Sequence, residues 1–294
     1  MKTLGVRIVV LNYCGAELLP QCLPSIVRAA ERAAHPTRVT VLNNPSGVPD
    51  DGSRYVRENF PNVELFQARE NRILCSYNDY LPLIQEPVVI LLNNDIRVAE
   101  DFVDPLAQHF QEDPKMFMVA PRVMSFDGAH NTAGASRAGI RFGLFWCEAR
   151  YPDYEKDLMT PSRTYSSGFG AFSREKFLEL GGYDDRYLPG IMEDVDLCYR
   201  ADKAGYACYY EPASVVYHLG QASFKKKFGA QGTDTLAHRN TFLFMWKNMC
   251  EPGIRLRHLF FLPLRLLLAV LRGHWAFIRG FRDALQKQRA LHKS

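Results

Sequence analysis

The 294-residue sequence has no paired cysteines: its seven cysteines are scattered singly, with no Cys-x-x-Cys anywhere. A zinc knuckle is therefore excluded and a disulfide framework disfavoured, and the pattern fits small buried thiols in a reducing cytosol. Long apolar runs are scarce as well. The greasiest stretch, Leu259 to Leu271, is interrupted by Pro263 and Arg265 and is too short to cross a bilayer. Met1 leads straight into Val6-Arg7-Ile8-Val9-Val10-Leu11 without the apolar segment and cleavage site of a signal peptide, so a cytoplasmic location is expected. No repeat and no low-complexity tract is visible. The loop after that first apolar run, Asn12-Tyr13-Cys14-Gly15-Ala16, carries no basic residue, which argues against a nucleotidyltransferase with a basic phosphate loop.

What is present is an ordinary globular composition, 47% hydrophobic and 23% charged, with charge unevenly placed. From Gly253 onward nine Lys/Arg face the single acid Asp283, a net +8, so the total of +4 leaves −4 for everything before it. The basic residues of this tail interleave with Leu and Phe, which disfavours nucleic-acid binding. Leucines and phenylalanine between Leu256 and Leu271 fall at helical spacing, with Arg255, Arg257, Arg265 and Arg272 among them. Such a helix is expected to lie on a membrane surface, or else to pack on protein.

The first half alternates short apolar runs with helical patterns. Val6–Leu11, Arg38–Asn43, Val63–Gln67, Val88–Leu92 and Met116–Ala120 read as buried strands, and strands alternating with helices predict a mainly parallel sheet covered on both faces. Residues 125 to 167 lose this rhythm and read as long loops or irregular strands. Helices are expected at Arg174–Leu180 and Val195–Ala204, short strands at Cys208–Tyr210 and Val215–Tyr217, and helices again at Leu236–Met249 and from Ile254 onward. The expected division is a catalytic domain over 1–235 and a basic helical extension over 236–294.

Ligands of open α/β sheets bind beyond the carboxyl ends of the strands, and those positions here are polar: Asn12, Asn43-Asn44 and Asn93-Asn94-Asp95. A carboxylate such as Asp95 can hold a divalent cation that also binds phosphates, although a capping turn looks the same. Glu193, Asp194 and Asp196 crowd the first turn of a helix. Asp196 can pair with Arg200 four residues on, which leaves Glu193 and Asp194 to face a cleft. His218 ends the last strand and is either structural or a ligand. The loop Phe224-Lys225-Lys226-Lys227-Phe228, with Arg239 downstream, is either a solvated patch or a lid that neutralises phosphate charge.

Taken in order, these strings resemble the family 2 nucleotide-sugar glycosyltransferases of the GT-A fold, particularly their rhamnosyltransferase-like branch, over about Val6 to Asn248. Val9-Val10-Leu11-Asn12-Tyr13 resembles the opening strand. Val41-Leu42-Asn43-Asn44-Pro45-Ser46 resembles the turn that holds base and ribose, and Glu70-Asn71 with Asn78 resembles the family's Asn-x-Gly…Asn segment. Leu91-Leu92-Asn93-Asn94-Asp95 is similar to the metal motif, Ser167-Gly168-Phe169-Gly170 to the acceptor-side strand, and Glu193-Asp194-Val195-Asp196-Leu197 to the most diagnostic string.

The resemblance implies an inverting, metal-dependent transferase in surface-polysaccharide synthesis. Asp194 would be general base, with Glu193 beside it, and Asp95 and His218 would hold Mn²⁺ or Mg²⁺. Asn12, Asn43, Asn44, Ser46, Asn71, Asn78, Asn93, Asn94, Lys225 and Arg239 would line the donor. The donor implied is dTDP-rhamnose, with a UDP-hexose or UDP-galactofuranose next, and the acceptor a glycan or lipid-linked saccharide at the cytoplasmic face of the inner membrane. Three positions depart from the family. Asn43 replaces the usual Asp, Asn93 replaces the first acid of the metal motif, and Arg72-Ile73 stands where a glycine follows Asn71. A non-catalytic membrane-surface module is the other reading, but it would not need Asp95, Asp194 and His218 together.

Overall fold

The computed structural model describes residues 3–47, 51–152, 154–220 and 223–291, and only the backbone of 223–227. The strands of the first half are β1 (Val6–Asn12), β2 (Thr37–Asn43), β3 (Glu64–Gln67), β4 (Val88–Asn93), β5 (Ile96–Val98) and β6 (Met116–Ser125). Those of the second half are β7 (Asn131–Ala133), β8 (Arg137–Arg141), β9 (Leu144–Glu148), β10 (Ser162–Arg163), β11 (Gly170–Ser173) and β12 (Ala207–His218). The helices up to the middle are α1 (Leu19–Arg32), α2 (Asp51–Asn59), α3 (Tyr77–Tyr80), α4 (Val103–Glu112) and α5 (Tyr154–Asp157). After them come α6 (Arg174–Glu179), α7 (Glu193–Lys203), α8 (Ser223–Asn248), α9 (Pro252–Leu271) and α10 (Trp275–Leu291).

One sheet runs β10-β12-β6-β11-β4-β1-β2-β3, with β5 added to β12 and β7 to β6. Its pairs are parallel except where β11, between β4 and β6, and the short β5, β7 and β10 run antiparallel. The carboxyl ends of β3, β2, β1 and β4 consequently share one edge. β1 and β4 are continuous aliphatic runs because both of their faces are covered; Val6, Ile8, Val10, Ile90 and Leu92 are fully buried under α1 and α4, and Val9, Val89 and Leu91 on the other side.

Several expectations change. Residues 125–167 are more ordered than their composition implies: β7 extends the sheet, and β8 and β9 form a hairpin of their own. The two short strands near residue 210 are one strand, β12, interrupted by an irregularity between Glu211 and Val215. The segment between β3 and β4 is not one helix but a chain of short turns, Ile73–Ser76, α3 and Leu81–Leu83, because Pro82 interrupts it. The tail helix is two helices broken at Gly273, where φ is +66°. The boundary expected at residue 235 falls inside α8, and that helix is tied into the sheet domain as described below. No helix among the described residues is long and apolar enough to cross a membrane.

Candidate active site

Each strand of the shared edge ends in an amide, and parallel in-register pairing sets Asn12 beside Asn43 and Asn43 beside Gln67. The side chains close into a ladder. Asn94 Nδ2 donates to Asn12 Oδ1 (2.8 Å), Asn12 Nδ2 to Asn43 Oδ1 (2.7 Å), and Asn43 Nδ2 to Gln67 Oε1 (2.9 Å). Asn12, Asn43 and Asn94 are buried, so each amide needs the partner it has. Gly15 lets the loop close over the ladder, since a Cβ there would lie 1.7 Å from Asn12 Oδ1. Asn44 joins from the side: Ser76 Oγ donates to its Oδ1 at 2.6 Å. Asn43, which stands in place of the family's Asp, thus gives one lone pair of its carbonyl to Asn12 and keeps the other. Asn93, the half-buried end of β4, and Ser46, half-buried after β2, stand at the same edge.

Asp95 and His218 meet because β5 starts immediately after Asp95 and pairs antiparallel with the end of β12, which sets His218 opposite Ile96. His218 Nε2 lies 3.2 Å from Asp95 Oδ2, and Leu219 N donates to Asp95 O at 3.0 Å. Asp95 Oδ1 is buried without a hydrogen-bond partner. Among the described residues no group of three or more His, Cys, Asp or Glu gathers as metal ligands. One carboxylate with an orphaned oxygen and one imidazole still suit a divalent cation whose remaining positions belong to phosphate and water.

The acids of α7 emerge from a strained turn. Gly190, Ile191 and Met192 have φ of +127°, +72° and +82°, a run that L side chains adopt only when neighbours enforce it. The enforcing group is Asn240, fully buried on α8, whose Nδ2 faces the carbonyls of Tyr187 (2.9 Å), Gly190 (2.8 Å) and Ile191 (2.7 Å). Asp196, the third acid, has no exposure and is fully engaged. It accepts from Arg200 Nε (2.8 Å), Tyr187 Oη (2.8 Å), Asn248 Nδ2 (2.7 Å) and Lys247 Nζ (2.9 and 3.0 Å).

Glu193 and Asp194 are left without such partners. Burial, and then the charge of Asp194, push the Glu193 carboxyl up to about 8, and Glu193 Oε2 is buried and unpaired. Desolvation raises Asp194 too, against the pull of the backbone amides at the start of the helix. The segment before β11 packs against the Asp95–His218 pair at one end and against β9 at the other. Ser166 Oγ contacts Cys147 Sγ, and the Phe169 ring stands edge-on to His218 at 5.6 Å.

Other expected donor-site residues serve the scaffold. Asn78 clamps the backbone of Tyr183, donating to its carbonyl (2.7 Å) and accepting from its N–H (2.9 Å). Arg239 donates from Nη2 to Leu188 O at 2.7 Å, next to the strained turn, and so braces that turn. Asn71 is exposed and its Oδ1 accepts from Ile73 N (3.0 Å); Ile73 itself takes φ +53°, the conformation that the family's glycine would supply. The side chain of the expected lid residue Lys225 lies outside the described residues. Sequence reasoning missed Gln67, Asn240 and Lys247. Gln67 was legible as the polar end of a strand, whereas Asn240 and Lys247 sit on an ordinary helix about fifty residues from their partners and carry no local signal.

Residues 6–181 match Glycosyl transferase family 2. The N-acetylglucosaminyl-diphospho-decaprenol L-rhamnosyltransferase of Mycobacterium tuberculosis is 26% identical over 265 residues, 81% of this chain and 83% of that protein. The pre-mycofactocin glycosyltransferase of the same organism is 26% identical over 182 residues, 62% of this chain and 37% of its own length. Among solved structures, GalNAc-T7 with UDP, GalNAc and Mn²⁺ superposes with TM-score 0.63 at 18% identity over 83% of this chain, which spans about half (48%) of that structure. The mannosyltransferase PcManGT from Pyrobaculum calidifontis, in complex with GDP-Man and Mn²⁺, gives 0.58 at 18% identity over 98% of this chain and 76% of its own. At those identities the likeness speaks for the fold, which is the α/β GT-A fold that the sequence implied.

Proposed function

The chain belongs to glycosyl transferase family 2, and within that family we propose that it is an inverting rhamnosyltransferase, moving rhamnose from dTDP-rhamnose to a hydroxyl of a lipid-linked saccharide. The observation that carries the reading is the Glu193–Asp194 turn, two carboxyls of raised pKa that follow a strained run of positive φ at the start of α7, in a chain whose strand ends also bring Asp95 against His218. A relative that is named for rhamnosyl transfer to N-acetylglucosaminyl-diphospho-decaprenol, and that aligns over most of both chains, supports the choice of sugar and acceptor.

In this reading Asp194 accepts the proton of the acceptor hydroxyl as that oxygen attacks the anomeric carbon. The bond from that carbon to the nucleoside diphosphate breaks on the opposite face, so the configuration inverts. Glu193, protonated up to about pH 8, keeps a second negative charge away from Asp194 and orients it. The amide ladder from Asn94 to Gln67, with Asn44 and Ser46, forms the floor for base and ribose, and Asn93 reaches the phosphates. A divalent Mn²⁺ or Mg²⁺ held by Asp95 and His218 would neutralise charge on the leaving diphosphate, and solved GT-A structures with Mn²⁺ favour this. A lipid-linked acceptor sets the reaction at a membrane surface, which agrees with a peripheral enzyme at the cytoplasmic face.

The test is Asp194→Asn in the full chain. Transfer should fall roughly 10²–10⁴-fold, while dTDP-rhamnose with Mn²⁺ still raises the melting temperature as it does for the parent. A variant that retains most of its turnover overturns the base assignment. Stabilisation by a UDP-hexose but not by dTDP-rhamnose reassigns the donor.

A further inference from the structure

Helix α9 carries apolar residues on both its inner and its outer side, and only the inner side is covered. Ile254, Leu262, Leu266 and Ala269 pack against α8 and its neighbours. The same inner side is pinned to the β8–β9 hairpin: His258 Nδ1 donates to Gly143 O (2.7 Å), and Arg265 donates to Phe142 O (2.8 Å) and Arg141 O (2.7 Å). Gly143 has no room for a side chain, since a Cβ would lie 2.6 Å from Arg257 O. The helix is therefore a rigid part of the molecule and not a loose tail.

The opposite side carries Leu256, Leu259, Phe260, Leu264, Leu267 and Leu271, from about half exposed to 73% exposed at Phe260. At 100° per residue they span an arc of about 140°. Phe142, at the hairpin tip, is 63% exposed beside this face. An apolar patch of this extent reaches or passes the ~300–600 Å² of the largest patch on a typical monomer, so it needs a partner.

Charge identifies the partner. The segment from Gly253 onward carries +8, so pairing this face with its copy in a second chain brings two such segments together. An anionic surface is attracted instead. Behind the C-terminal end of the face is a cavity of about 660 Å³, bounded by α8, α9 and α10. Arg265, Arg272 and His274 line it against one acid, Asp234, together with His238, whose pKa burial lowers, and Leu268 and Trp275 at its edge are partly exposed.

We propose that the outer face of α9 and the tip of the β8–β9 hairpin seat in the surface of an anionic phospholipid bilayer, with α9 lying in the plane of the membrane and the basic cavity receiving headgroup phosphate. The choice of occupant rests on the reading of a lipid-linked acceptor; the surface itself does not.

The experiment is co-sedimentation of the full chain with phosphatidylglycerol/phosphatidylcholine vesicles at low salt, with no sugar donor present. Parent protein should pellet with these vesicles and much less with pure phosphatidylcholine. The double variant Phe260→Glu/Leu267→Glu should lose about tenfold or more of the partition coefficient, with an unchanged melting temperature and an unchanged response to dTDP-rhamnose. Arg272→Glu should lose less and mainly the phosphatidylglycerol-dependent part. Equal binding by parent and double variant overturns the proposal. So does a parent dimer in sedimentation velocity that the double variant turns into monomer, without vesicle binding by either, because the face is then a self-interface. Because binding is read without transfer, failure of the rhamnosyl assignment leaves the result standing, and failure here leaves that assignment to its own test.

Discussion

Two neighbouring regions of the site treat buried polarity in opposite ways. At the ends of β4, β1, β2 and β3, neutral amides are linked one to the next, and each strand contributes one rung. At the start of α7, one carboxyl, Glu193, is enclosed with an unpaired oxygen beside the half-buried Asp194, and the adjacent backbone is forced to positive φ. The ladder satisfies its buried amides at almost no electrostatic cost, and in the proposed reading it is the floor on which the base lies. The turn holds groups whose charge state is easily changed, which is what proton transfer requires, and a stable scaffold around Asp196 and Asn240 bears the strain.

The comparison breaks most visibly at Asp196. If this carboxylate is the anchor of the strained turn, Asp196→Ala should lose about 3–5 kcal/mol, as expected for removing one partner of a buried ion pair, and transfer should fall with it. Urea unfolding measures this, and a loss below about 1 kcal/mol would mean that the turn is held elsewhere.

Glu193 gives an effect of opposite sign. Its carboxyl keeps its proton to about pH 8, whereas its ordinary value is 4.5. Between those values the folded chain binds a proton that the unfolded chain has released, so the stability due to this group falls as pH rises through that window and is complete below it. Glu193→Gln removes the dependence. The variant should match the parent near pH 4.5 and exceed it at pH 8 or above by on the order of 3 kcal/mol. Parallel unfolding curves at the two pH values check it, and a variant advantage that does not grow with pH contradicts the burial of a protonated acid.

The smallest effect belongs to the ladder. Asn12→Ala strands the amide of Asn94 on one side and the carbonyl of Asn43 on the other, and should lose about 2 kcal/mol. It should also weaken binding of dTDP-rhamnose measured by calorimetry. Unchanged donor affinity would reduce the ladder to a structural seam.

Much of this architecture is legible in the chain. Unbroken aliphatic runs such as Val88–Leu92 can only be strands covered on both faces, and the polar residues that follow them then fall on the ligand edge for topological reasons. The pairing of Asp196 with Arg200 follows from helical spacing alone. The outer face of α9 is also readable, because a 3.6-residue period depends on local sequence and nothing else. Contacts made across long stretches of chain are not readable. The residues around His218 do not announce Asp95, 123 residues away; the family resemblance alone set the two together, and the pairing of β5 with β12 is what brings them into contact. Asn78 and Arg239 have side chains suited to a nucleotide, yet tertiary packing gives them to backbone carbonyls first. Periodicity and composition determined which elements exist and which edge is polar, since those depend on neighbours in sequence. Which of the two remaining acids is left buried and protonated, and which apolar face stays uncovered, were decided by packing, because burial is a property of what the rest of the chain brings alongside.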